Sequence, residues 1–453
     1  MSRRPVPFLQ AAALAATMCL AAGCGGGSSP APTTTTAAVR STPGVATAQD
    51  ASVPVATTRA AKPTRPAKPL ANPAGWPTSL QIGLIDPENG AKTLSERAPF
   101  GVRWHYLSGG AGTSGSWDSW RTGGGSYASA YVQDSGSTGT VPFLSYYVLQ
   151  ETPPASDRSS EPDKVLTGLA SPAVMKAVVS DLRLALTRMG QGGPGPSVLQ
   201  VEPDLWGYVQ QQGHSASTTA AIAGSDPLAT GLPSTLAGFA RLVARIRNAV
   251  APKVLLAYPV SVFGTNKDIV GSDPTKDEVT AMAASTVRFW RSLGRPFDVM
   301  TFEYANRDAG YQTQVDGVAV KDAWWTADNE ARHLQYVKGV LDQTKRSGIL
   351  WQVPPGNTVR KVMNDTPGHY RDTKVQALLG RKGRPLLRAY RDAGVAAVLF
   401  GSAFPNDTCA CVRTDQYKDA SGKDDDGGYL ASQVRKYVRD GELQLKRLPQ
   451  RGR

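Results

Sequence analysis

Val254-Leu255-Leu256-Ala257-Tyr258 and Val395-Ala396-Ala397-Val398-Leu399-Phe400 are apolar almost without interruption. A strand with one face in water alternates polar and apolar side chains. A strand that is apolar on every residue is covered on both faces, as in a parallel sheet wrapped by helices. Working outward from these two runs, β-rich segments recur at 80–86, 101–107, 141–148, 198–203, 253–260, 297–303, 348–353 and 395–400. Helical patterns lie between them. Pro172 to Met189 puts Val174, Val178, Leu182, Ala185 and Leu186 on one face, and Leu236 to Val250 does the same with Phe239, Leu242, Val243 and Ile246. Segments 275–293, 326–346 and 371–393 also read as helices, with weaker patterns at 90–98 and 117–134. Strands alternating with helices predict an α/β fold with a parallel sheet, and eight strands predict a (β/α)8 TIM-type barrel over residues 76–440. An open doubly wound sheet would also satisfy the alternation, but no glycine-rich phosphate loop follows the first strand as it would in a nucleotide binder.

In such a barrel the working residues stand at the carboxyl ends of the strands. Those ends bring Asp86, Trp104, His105, Tyr147, Glu151, Trp206, Tyr258, Tyr304, Asp308, Trp351, Gln352 and Asn357 to one rim as expected substrate-binding residues. Many aromatics and several carboxylates on one rim suit carbohydrate chemistry. Aromatic faces stack on sugar rings, amides and carboxylates bond hydroxyls, and two carboxyls flank the scissile bond. Val198-Leu199-Gln200-Val201-Glu202-Pro203-Asp204 ends a hydrophobic strand on two carboxylates, and Phe297-Asp298-Val299-Met300-Thr301-Phe302-Glu303 ends another on one. Each could equally pair with an arginine or cap the following turn. Read as catalytic, Glu202 is the expected general acid/base and Glu303 the nucleophile or base, with Asp204 as the substitute should its side chain point inward.

The chain resembles secreted barrel glycoside hydrolases, and distantly glycoside hydrolase family 6. That family carries a Glu-Pro-Asp after a central strand, similar to Glu202-Pro203-Asp204, and later a Trp followed by Pro-Pro-Gly, similar to Trp351-Gln352-Val353-Pro354-Pro355-Gly356. The resemblance covers about the middle half of the domain and implies hydrolysis of an O-glycosidic bond in a polysaccharide or oligosaccharide, without a cofactor. Asn357-Thr358 stands where the family has an acidic residue beyond the Pro-Pro-Gly, and the family's general-acid Asp has no clear match. A non-catalytic glycan-binding protein would keep the same aromatic rim. A serine hydrolase would need a nucleophile elbow, and no Gly-x-Ser-x-Gly joins a strand to a helix. The four His are scattered singly, so no metal is expected.

The N-terminal region has a different character. Arg3 and Arg4 precede an apolar stretch from Phe8 to Ala22, the layout of a signal peptide over residues 1–23, too short to span a bilayer as a stable helix. Leu20-Ala21-Ala22-Gly23-Cys24 resembles the lipobox of bacterial lipoproteins, which implies lipidation of Cys24 and a place on the extracytoplasmic face of the cell membrane. Residues 24–75 are Gly, Ser, Thr, Ala and Pro with isolated basic residues, a composition too poor in large apolar groups to fold, and read as a disordered tether. Of the formal charge of +13, +6 belongs to residues 1–75 and +5 to residues 431–453, which include the basic tail 441–453, leaving +2 for the rest. That distribution excludes a nucleic-acid binder and leaves anionic lipid or wall polymer as the simpler partner of the positive charge. A monomer is expected. Cys409 and Cys411 could close a small disulfide ring or remain a reduced pair in a surface loop.

Overall fold

A computed structural model describes residues 75–269, 272–304, 317–355, 373–401, 428–447 and 449. Eight parallel strands close into a barrel in chain order: β1 (Gln81–Ile85), β2 (Val102–Ser108), β3 (Val141–Tyr147), β4 (Ser197–Val201), β5 (Val254–Val260), β6 (Val299–Glu303), β7 (Ser347–Val353) and β8 (Val395–Phe400), with β8 paired back to β1. The expected TIM-type barrel is therefore the observed fold. Every strand expected from an apolar run is present, because burial on both faces marks each of them in sequence.

The helices are α1 (Ala91–Arg97), α2 (Ser126–Ser137), α3 (Glu161–Ala170), α4 (Pro172–Gln191), α5 (Leu205–Gln211), α6 (Leu236–Val250), α7 (Lys276–Ser292), α8 (Val320–Ala323), α9 (Ala327–Thr344), α10 (Lys374–Leu379), α11 (Arg384–Ala393) and α12 (Tyr429–Arg439). Side-chain caps start several of them. Ser160 caps α3, Ser171 caps α4 and Thr235 caps α6, while Thr275 with Glu278 closes a capping box on α7. The segment expected as one helix over 371–393 holds two. A Cβ at Gly383 would lie 2.3 Å from the carbonyl oxygen of Ala377, so the chain folds back there in a way only glycine allows. The weak pattern at 117–134 becomes a short 3-10 turn at Trp117–Ser119 followed by α2, and α3 and α5 had not been foreseen.

Strand pleating sorts the core into two layers. Val102, Trp104, Phe143, Val198, Leu255, Ala257, Val299, Ile349, Trp351 and Leu399 fill the barrel, while Leu144, Tyr146, Leu199, Leu256, Met300, Phe302 and Val398 pack outward under the helices. Inside, Ser145 Oγ donates to Gln200 Oε1 (2.7 Å) and Gln200 Nε2 to Thr301 Oγ1 (2.6 Å), so these three polar side chains satisfy one another within the barrel. Two buried arginines brace the outer layer. Arg103 binds Asp86 (2.6 Å) and Asp134 (2.8 Å), and Arg247 binds Asp298 (2.5 Å). The segment after Gly441 lies against the barrel: Leu80 N–H donates to Leu443 O, and Leu445 N–H to Thr78 O.

Candidate active site

The carboxyl ends of β2, β3 and β7 line the barrel mouth with aromatics. Trp104 and Trp351 meet edge to face with centroids 5.7 Å apart, and Tyr106 lies 5.6 Å from Trp104, 6.0 Å from Trp351 and 6.5 Å from Tyr147. Trp104 is the floor: it is fully buried and its Nε1 donates to Phe400 O (2.8 Å). Trp351 Nε1 is buried with no hydrogen-bond partner, a cost that a ligand oxygen would relieve. Alternation would turn Gln352 outward, but it sits in the left-handed region at φ 54° beside a register shift in β7, and its Nε2 donates to Tyr106 Oη at 2.7 Å. A strained strand-end residue held by a site group is the usual mark of a functional position.

The carboxylates converge between β4 and β6. Asp204 occupies the N-cap position of α5, and Tyr208, one turn later, lies on the same helical face. Asp204 shares a hydrogen bond with Tyr147, whose hydroxyl also accepts from Gln150 Nε2 (3.1 Å), while the Tyr208 hydroxyl donates to Glu161. Burial first, and then the charge of Glu161, push the Asp204 carboxyl up to about 7, against the lowering effect of the Tyr147 bond. Burial also raises Glu161, whose neighbours include Glu151 and Lys164. Glu303, the last residue of β6, follows the inward-facing Val299 and Thr301, pairs in register with Trp351, and its charge acts on the Tyr208 phenol together with those of Asp204 and Glu161. The mouth thus collects an acid poised near neutrality, a second carboxylate and an aromatic wall.

Glu202 is placed differently. It too is left-handed, at φ 51°, which swings its side chain away from the inward direction set by Val198 and Gln200. Its Oε1 accepts from the backbone N–H groups of Val148 (3.1 Å) and Leu149 (3.0 Å), at the start of the 3-10 turn Leu149–Glu151. It is only 1% exposed, and burial raises its carboxyl to about 8. The expected general acid is thus an internal cap under the β3 turn.

Five other expected site residues face elsewhere. Asp86 is locked to Arg103 behind β1. His105 points outward, its Nδ1 3.1 Å from Tyr127 Oη and its ring packed near Trp120, Tyr127 and Tyr131. Trp206 and Tyr258 belong to an outer cluster with Phe297, and Trp206 also stacks on Phe239. Tyr304 stacks on Trp325 and bonds Glu330 beneath α9. For His105, Tyr258 and Tyr304 the strand-end position was right and the side of the pleat was not, while Trp206 belongs to α5. Glu151 is half-buried at the rim. Asp308, Asn357, Cys24, Cys409 and Cys411 lie outside the described residues. Glu161 and Tyr208 were not among the expected site residues. The i, i+4 spacing of Asp204 and Tyr208 could have found Tyr208, and Ser160-Glu161-Pro162-Asp163 carries a helix-start signal. Among the described residues no group of His, Cys, Asp and Glu could hold a metal ion.

No family model matches the chain, and no curated protein matches it. Solved structures similar to it include a Cellulomonas fimi endo-β-1,4-mannanase double mutant (12% identity, 81% of this chain and 72% of that one, TM-score 0.46). Another is the catalytic domain of a glycoside hydrolase family 26 endo-β-1,4-mannanase from Bacillus sp. JAMB-750 (11% identity, 83% and 94%, TM-score 0.44). A third is xylanase B from Clostridium stercorarium (13% identity, 71% and 85%, TM-score 0.39). No residue role is carried over from them.

Proposed function

We propose that this protein is a glycosidase or a closely related glycan-processing enzyme, with Asp204 as the general acid/base and Glu303 as the partner carboxylate. The observation that carries this reading is the setting of Asp204, a carboxyl raised to about 7 and bonded to Tyr147 at the edge of an aromatic well. A group with that pKa keeps its proton near neutral pH and can deliver it to a leaving glycosidic oxygen. A sugar ring lying against Trp351 and Tyr106 would present its hydroxyls to Trp351 Nε1 and Gln352. Glu303 would then act on the opposite side of the bond, as nucleophile or as base toward water. A carboxyl separation of about 5–5.5 Å with sugar bound would mean retention, and about 6.5–9.5 Å inversion. The substrate is a polysaccharide or oligosaccharide. The enzyme works outside the cell, held to the membrane by a lipid on Cys24, a place supported by the basic and apolar leader and the Gly23-Cys24 junction.

The test is turnover of wall and storage polysaccharides by the full chain beside Asp204→Asn and Glu303→Gln. Each variant should lose about 10² to 10⁴ in kcat, the usual contribution of general acid/base catalysis, and keep its fold by circular dichroism. A glycan bound by all three proteins but cleaved by none would replace this reading with that of a glycan-binding protein.

A further inference from the structure

At the strand-start end of the barrel, opposite the mouth, three basic residues meet where α7 hands over to β6 and α9 to β7. Arg346, just before β7, is buried to 8% exposure, yet its Nε has no hydrogen-bond partner. Its guanidinium has no carboxylate partner among the described residues. It rests against the Trp290 ring at 5.7 Å, and Trp290 Nε1 is likewise buried and unpartnered. Asp298 exerts its charge on Arg346, but that carboxylate is already engaged by Arg247 Nη1 (2.5 Å) and the Leu256 N–H (2.9 Å). The charge of exposed Arg295 bears on Arg346 as well, and exposed Lys345 precedes it in the chain.

A buried N–H without an acceptor is costly, and the charge of a second cation bearing on the same guanidinium adds to the cost. Arg295 (φ 61°) and Lys345 (φ 58°) are moreover left-handed residues in the two adjoining turns, positions that Gly or Asn would fill with less strain. Two buried N–H donors without partners in one packed corner, under crowded positive charge, call for an acceptor that also carries negative charge. We propose that this corner is a binding site for a phosphoryl oxyanion, gripped by Arg346 and Arg295 with the Trp290 N–H as a further donor. Planar guanidinium forks match phosphate oxygens in geometry and charge. The ligand is a free phosphate or the phosphate of a lipid headgroup. The second source fits the topology, because residues 78–80 enter the barrel on residues 443–445, and Arg447 Nη1 reaches the Arg346 carbonyl (3.4 Å). The proposal does not rest on the catalytic reading.

The test uses the full chain carrying Cys24→Ala, so that no acyl chain contributes. One arm titrates inorganic phosphate by calorimetry. The other floats the protein with vesicles of phosphatidylcholine, alone or with one-third phosphatidylglycerol. Saturable phosphate binding that Arg346→Met weakens at least ten-fold, and Arg295→Gln several-fold, supports the site with a soluble ligand. Flotation that requires phosphatidylglycerol and is lost in the same variants supports it with a headgroup. Arg346→Met should melt no lower than its parent, since it removes a buried N–H that has no partner; should it fail to fold, the exposed Arg295→Gln decides. Binding in neither arm, or binding unchanged in the folded variants, overturns the proposal.

Discussion

Glu202 and Asp204 stand two positions apart and meet opposite surroundings. Both were legible as carboxylates at the end of a buried strand. What sequence could not reveal was the left-handed turn at Glu202, because no local residue pattern demands φ 51° of a glutamate; only the two N–H groups at Val148 and Leu149 explain it. The two roles separate by pH. As a general acid Asp204 must be protonated, so kcat/KM should fall as pH rises through about 7. Removing the Glu161 charge by Glu161→Gln stabilises the ionised form of Asp204 and lowers its pKa. The alkaline limb of the pH–rate profile should therefore move to lower pH, and an unmoved limb would detach Glu161 from the acid. Glu202 instead affects stability. Its carboxyl, raised to about 8 in the fold, binds a proton more tightly there than in the unfolded chain, where the ordinary value is about 4.3. It therefore stabilises the fold below the ordinary value and progressively ceases to as pH climbs toward 8. Asp204 and Asp181, also raised by burial, share that sign, so the difference between proteins is the measurement. Melting curves from pH 5 to 9 should decline less steeply for Glu202→Gln than for the parent, with turnover in the variant preserved.

At the scale of elements, the strands were readable because burial on both faces leaves a continuous apolar signature, whereas the rim residues obey a rule of two that a single residue can invert. Trp104, Tyr147 and Trp351 obey it and face in. His105, Tyr258 and Tyr304 are as aromatic and as near a strand end, but face the helices, and Trp206 is itself part of α5. Short elements escaped the reading for a different cause: α5 has seven residues, too few for a helical period to stand out. Asp86 shows how an element can claim a residue that looks functional. It follows β1 directly, where a catalytic carboxylate could stand, and is consumed by Arg103, which ties β1 and β2 to Asp134 of α2. Asp86→Ala would leave the Arg103 charge buried with only Asp134 to meet it. Breaking a buried pair from one side costs about 3–5 kcal/mol, and the remaining partner places this variant toward the lower end. Urea denaturation should show that loss, while KM and kcat of the protein still folded stay at parental values; altered kinetics with unchanged stability would return Asp86 to the site.

At the scale of the whole molecule, the aromatic and carboxylate mouth lies at one end of the barrel, and both the entering chain and the Arg346 corner lie at the other. Among the described residues Trp76 is the first buried side chain, and a Cβ at Gly75 would come within 2.9 Å of Pro196 Cδ, so the chain is packed onto the barrel from these two residues onward. Before them, composition alone argues for a chain that cannot bury enough apolar surface to fold. A protease needs an extended segment to cut, which the packed barrel withholds and residues 25–74 should offer. If Cys24 carries the proposed lipid, brief digestion of the membrane fraction is expected to release a fragment beginning near Gly75 that melts at the same temperature as the intact chain. Cys24→Ala should reach the medium without digestion, because the lipid is the only proposed anchor strong enough to hold the protein against washing in salt, and any headgroup contact through Arg346 is electrostatic and screened. Retention of Cys24→Ala on membranes in high salt would mean that something other than an acyl chain holds it. A digestion product starting well before Gly75 would mean that part of the tether folds onto the barrel.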